Sequence, residues 1–152
     1  MKVIVLLLLI GSIALSAQAQ PDPASLRGRW AGTVSQEGVR RFQGQEFFYT
    51  MDLLITQVLE HEVSGKLRVL EVNCEADLVF RHFADGEFVF FAQPVKNSPA
   101  NCVTSLIRIK PLLGGKIEYA ATFATPDNPR HPGLKGTLNR LISVEAREQA
   151  EQ

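Results

Sequence analysis

The chain has 152 residues, with 16 basic and 16 acidic side chains that cancel to a formal net charge of zero. This length suits a single domain with a sizeable core. Charges of both signs are scattered along it, which leaves no basic excess for nucleic acid and no polybasic patch for an anionic membrane.

Residues 1–19 read as a secretory signal peptide. Lys2 is a short basic head, residues 3–15 are apolar except for Gly11 and Ser12, and Ala17-Gln18-Ala19 is a small-x-small cleavage site. The apolar run falls short of the roughly 20 residues that a membrane span needs. No cysteine stands directly after the cleavage site, so a lipid anchor is not expected. Cleavage after Ala19 is expected to leave a secreted or periplasmic protein with no integral membrane segment. Lys2 is the only charge lost, so 15 basic residues then face 16 acidic ones, a net charge of about −1.

Residues 20–27, with Pro21 and Pro23, suggest an extended lead-in. A first strand follows over 29–36, with Trp30, Gly32 and Val34 on one face and Arg29, Ala31 and Thr33 on the other. A polar loop over 37–45 leads to a second strand over 46–59. Phe47, Tyr49, Met51, Leu53 and Ile55 share one face of it, and period 2 with one polar face is the antiparallel signature. The third strand, 63–70, sets Val63, Gly65, Leu67 and Val69 on a common face, and Gly65 in mid-strand implies a bend or a close backbone approach. The fourth strand, 74–83, ends at Asp85-Gly86, a hairpin turn. The fifth, 87–93, is apolar on both faces. If Phe88 and Phe90 point inward, Val89 and Phe91 point outward and form an apolar patch for a partner or subunit, unless the C-terminal segment or a loop covers it. A Pro-bearing loop leads to a sixth strand over 102–110, with Val103, Ile107 and Ile109 together. Gly114-Gly115 turns the chain into a seventh strand over 116–125. A loop over 126–133 precedes the eighth, 134–141, which aligns Leu134, Gly136, Leu138 and Arg140. Residues 143–152 read as a charged, frayed tail.

Short period-2 strands joined by hairpin-length links define an all-β domain over 28–142. An antiparallel up-and-down barrel of about eight strands is the expected form, because sequential hairpins need no long crossovers and closure removes exposed edges. Cys74 and Cys102 are the only cysteines. In an exported chain they are expected to form one disulfide, worth on the order of 3.5 kcal/mol for a loop of about 29 residues.

Gly28-Arg29-Trp30 resembles the Gly-x-Trp opening of the calycins, the lipocalin and avidin group of barrels, and Gly136-Thr137-Leu138-Asn139-Arg140 resembles their closing strand. The chain is also similar to small secreted bacterial domains of unknown function with a Gly-x-Trp start, two cysteines and a Gly-x-Leu-x-Arg end. The resemblance covers the two ends of the chain and implies architecture rather than activity. It implies that Gly28, Trp30 and Arg140 close the barrel, with the Arg140 guanidinium packed across the Trp30 ring. Such a cation–π contact is worth about 0.5–2 kcal/mol.

Signs of catalysis are sparse. His61, His82 and His131 are the only histidines, and their spacing does not gather them into a metal site. There is no G-x-S-x-G, no Ser-x-x-Lys and no glycine-rich phosphate loop. A non-enzymatic protein without catalytic residues, metal or cofactor is therefore expected. The aromatic residues Tyr49, Phe80, Phe88, Phe90, Tyr119 and Phe123 either fill the interior or line an apolar ligand cup, in which Tyr49 and Tyr119 provide polar handles. The expected function is a secreted binding module that holds a small apolar ligand in the barrel. The alternative is an inhibitor or interaction protein that engages another protein through its loops, and an enzyme built on a barrel cavity ranks last.

Overall fold

A computed structural model describes residues 21–36, 47–123 and 133–142. The expectations for the signal segment 1–19, the loop over 37–45, His131 and the tail over 143–152 lie outside the described residues. Eight strands follow one another: β1 (Gly28–Gln36), β2 (Phe48–Ile55), β3 (Val63–Val69), β4 (Cys74–Ala84), β5 (Glu87–Pro94), β6 (Ser105–Leu112), β7 (Lys116–Phe123) and β8 (Leu134–Leu141). Each pairs antiparallel with the next and β8 pairs with β1, giving a closed up-and-down barrel. Closure leaves no unpaired edge for another chain to extend. Cys74 and Cys102 form the disulfide.

The inward positions form one continuous apolar core. Met51, Leu53 and Ile55 of β2, Leu78 of β4, Phe88 and Phe90 of β5, Ile107 and Ile109 of β6 and Leu138 of β8 are fully buried. Phe80 packs against Phe88 and Phe90 with ring centroids 6.1 and 5.3 Å away, and Phe83 meets Phe88 edge-on at 4.9 Å. Tilted aromatic pairs of this kind add about 0.5–1.5 kcal/mol each beyond their buried area.

One barrel end is sealed. Trp30 is 2% exposed, and its indole Nε1 donates to the Leu26 carbonyl at 2.8 Å. The Arg140 guanidinium lies over the indole, 4.4 Å from its centroid, and donates through Nη1 to the Arg27 carbonyl at 3.0 Å and through Nη2 to that of Ser25. Ring and guanidinium thus satisfy the carbonyls of the segment that crosses beneath them. Gly28 stands at φ 129°, a backbone region that side chains avoid, and a Cβ there would meet Arg140 Nη1 at 3.5 Å. The Gly-x-Trp spacing leaves room for the arginine beside the ring.

Several sequence expectations change. The segment before β1 is not extended: Pro23–Leu26 is a 3-10 helix capped by the Asp22 side chain, which accepts from the Ala24 N–H at 2.9 Å. Asp at the cap and Pro in the first turn suit such a start, and the helix delivers Leu26, fully buried, into the core. β2 is shorter than 46–59, and Phe47 is 45% exposed rather than inward. β6 begins at Ser105 rather than at residue 102, because the disulfide holds Cys102 in the preceding loop.

Two register shifts account for the errors of facing. Between Val63 and Gly65 the β3–β4 ladder slips, so Val63 is exposed while Ser64 is buried. Gly65 is required there, since a Cβ would overlap the Leu54 carbonyl oxygen. A second shift lies between Phe80 and His82. An extra residue in one strand reverses the alternation beyond it. The outward apolar patch expected on β5 is not open either, for Val89 is only 5% exposed. Arg108 stands opposite Val89 and reaches along the strand to Glu87 at 3.8 Å, while Arg81 lies 5.6 Å above the Phe91 ring. The stems of long cationic side chains cover apolar surface in this way while their heads stay wet.

The outer wall carries an acid-sensitive contact. Arg29 Nε donates to Asp52 Oδ1 at 2.8 Å across the β1–β2 pair. The hydrogen bond from Arg29 holds the Asp52 carboxyl below the ordinary carboxylate range, against the opposing effect of partial burial. A depressed folded-state pKa stabilises the fold above the unfolded-state pKa, and that contribution is lost as pH falls through the folded value. Thermal unfolding from neutral to about pH 3 should therefore show a steeper acid decline in the wild type than in Asp52→Asn. Identical slopes would remove Asp52 from the acid response.

Candidate functional site: a half-filled barrel

The hollow of the barrel lies at the end opposite Trp30. A cavity of about 330 Å³ opens there. Its origin is visible strand by strand. Along β4, from the mouth inward, the core positions read Ala76, Leu78 and Phe80; along β5 they read Ala92, Phe90 and Phe88; along β7 they read Ala121, Tyr119 and Ile117. The outer alanine of each series lines the cavity, and the larger residues beyond fill the barrel toward the Trp30 end. Three alanines around the cavity leave a volume that an eight-stranded barrel otherwise fills with side chains.

Met51 of β2, Leu67 and Val69 of β3, Leu134 of β8 and the alanines make the walls mainly apolar. Polar groups are few. At the rim Tyr49 Oη donates to Gln36 Oε1 at 3.1 Å. Tyr119, 1% exposed, stands deeper in, and Ser105, 4% exposed, stands on the wall opposite Ala92 and Phe123; neither hydroxyl is hydrogen-bonded to another described residue. Burial pushes the Tyr119 phenol far up from its ordinary pKa, so it stays a neutral donor.

The mouth is partly framed by the β5–β6 connection. The disulfide ties Cys102 in that connection to Cys74, the first residue of β4. The Glu75 carbonyl accepts from the Val95 N–H at 3.0 Å and from the Ser98 hydroxyl at 3.1 Å. These anchors place Asn101 and Val103 on the cavity rim, with Val72 of the β3–β4 turn also there. Gln36, the last residue of β1, and Phe123, the last of β7, line the same cavity.

The six aromatic residues taken from the sequence as a cup divide into two sets. Tyr49, Tyr119 and Phe123 line the cavity, whereas Phe80, Phe88 and Phe90 pack on one another in the filled part. Gly28, Trp30 and Arg140 meet at the sealed end. His61 is exposed in the turn before β3, and His82 is exposed on the outside of β4. The residues that open the space, Ala76, Ala92 and Ala121, carry no chemical motif; small residues at matching inward positions were their only signal. Ser105 was equally silent as a lone hydroxyl in an Ile-rich strand. Comparison of the chain with protein-family models, with curated proteins and with solved structures finds no significant match.

Proposed function

We propose that the chain is a calycin-like, exported, non-enzymatic binding module that holds a small apolar ligand in the open half of its barrel. The observation that carries this reading is the cavity of about 330 Å³, apolar on its walls, with the buried Tyr119 among the residues that line it. Pockets of a few hundred cubic ångströms with a few placed polar groups are the usual form of small-molecule sites. The Trp30–Arg140 seal supports the calycin likeness, and a disulfide suits an oxidising export compartment.

Native mass spectrometry of protein isolated from its own host is the direct test. A retained adduct that leaves on denaturation is the expected result, on a polypeptide whose mass begins at Gln20. A clean apo mass with a second protein bound would turn the reading to an inhibitor or interaction protein. Ala121→Phe fills the cavity from its wall and is expected to abolish the adduct while leaving the circular dichroism spectrum and the sealed end intact. An undiminished adduct in that folded variant would place the ligand elsewhere.

A further inference from the structure

Resting on the reading of the cavity as a binding site, we propose that it takes an uncharged ligand whose hydroxyl or carbonyl oxygen meets the Tyr119 hydroxyl at the inner end or the Ser105 hydroxyl on the wall beside Ala92, and that it rejects carboxylates and amines of the same shape. The polar inventory of the cavity carries this. Tyr49 is already engaged with Gln36. Tyr119 and Ser105 are both more than nine-tenths buried, both line the cavity, and neither is hydrogen-bonded to another described residue. No buried side-chain oxygen among the described residues is left without a partner, so these two hydroxyls open onto the cavity, where a ligand oxygen can accept from either of them.

Charge complementarity sets the sign. Among the described residues lining the cavity there is no Lys, Arg, His, Asp or Glu. The ion pairs of Arg29 with Asp52, of Lys66 with Glu75 and of Arg108 with Glu87 lie on the outer wall, where they cannot neutralise a guest. A carboxylate or ammonium drawn to the inner end would be buried without a counter-ion, and such burial is strongly unfavourable. The upward shift of the Tyr119 phenol by burial reports the same resistance to charge. Size follows from volume. An engineered cavity of about 150 Å³ holds benzene, so about 330 Å³ holds roughly 13 non-hydrogen atoms. A chain of ten carbons with a terminal oxygen, or a two-ring alcohol or ketone, fits this measure.

The test uses the full mature chain and an uncharged fluorescent probe small enough for the cavity, 1-naphthylamine, displaced at about pH 8 by 1-decanol, decanoate and decylammonium, at which pH both of the latter are ionised. Decanol is expected to compete about tenfold or more better than either ion. Tyr119→Phe and Ser105→Ala should each weaken decanol relative to the probe by roughly two- to tenfold, the range of a lost neutral hydrogen bond. Decanoate competing as well as decanol, or both variants binding decanol like the wild type, overturns the inference and leaves apolar binding standing. Failure of the probe and of every competitor to bind overturns the binding reading and this inference with it.

Discussion

Replacing Trp30 by alanine is expected to cost about 3–5 kcal/mol of folding stability, the range of a large aromatic removed from a packed core. Three losses combine. The ring is 2% exposed, so its removal opens a large hole at the sealed end. The Leu26 carbonyl loses the indole N–H that it accepts at 2.8 Å. Arg140 loses the surface it lies on at 4.4 Å, although its hydrogen bonds to the Arg27 and Ser25 carbonyls persist. Against a total stability of roughly 5–15 kcal/mol for a domain, this is enough to approach unfolding at body temperature. Trp30 is also the only tryptophan, so the comparison needs urea unfolding followed by circular dichroism rather than by intrinsic fluorescence. A loss within about 0.5 kcal/mol, as exposed positions give, would mean that the seal is not a structural element. Trp30→Phe, which keeps a ring but drops the N–H, should fall between the two.

Removing the disulfide is expected to cost about 3 kcal/mol. Cys74 and Cys102 are 28 residues apart, and the chain-entropy account of a loop this long gives roughly 3.5 kcal/mol. The Glu75 carbonyl retains the Val95 and Ser98 contacts, so part of the connection stays anchored without the covalent tie. The Cys74→Ser, Cys102→Ser double variant should show a lower urea midpoint, with the difference near 3 kcal/mol, and free-thiol titration of unfolded, unreduced wild type should find no reactive thiol. A difference below about 1 kcal/mol, or two titratable thiols, would contradict the bond or its weight. Asn101 and Val103 ride on the same connection, so the double variant should also exchange the apolar probe faster than the wild type.

The barrel was largely legible in the chain because its strands alternate cleanly and its turns carry their own chemistry. Asp85 and Gly86, both at positive φ, make the hairpin turn that the dipeptide announces. Strand β8 falls on the residues its alternation picks out. What escaped were features that break local rules. A bulge is a single extra residue, invisible to a period-2 pattern, and it exchanged the facing of Val63 and Ser64. The 3-10 helix at Pro23–Leu26 had its cap and its proline in view, but two prolines in eight residues suggest an extended chain as readily. Arg108, which stands opposite the buried Val89, is 19 positions away, and no local window joins the two. The cavity was least legible. Aromatic residues suggested a cup, yet half of those six fill space, and the void is lined by three alanines on three different strands that only the closed barrel brings round one cavity.

The sealed end has a kinetic meaning as well. A vessel with a floor has one door, so a guest held as proposed would have to leave by the path it used to enter. Such a protein can ferry or store a molecule, but it cannot serve as a conduit that passes one through. Its unloading rate is then a property of the rim, where Gln36, Tyr49 and the tethered Asn101 and Val103 stand. Changes around Trp30 should alter how long the fold survives without altering how long a guest stays.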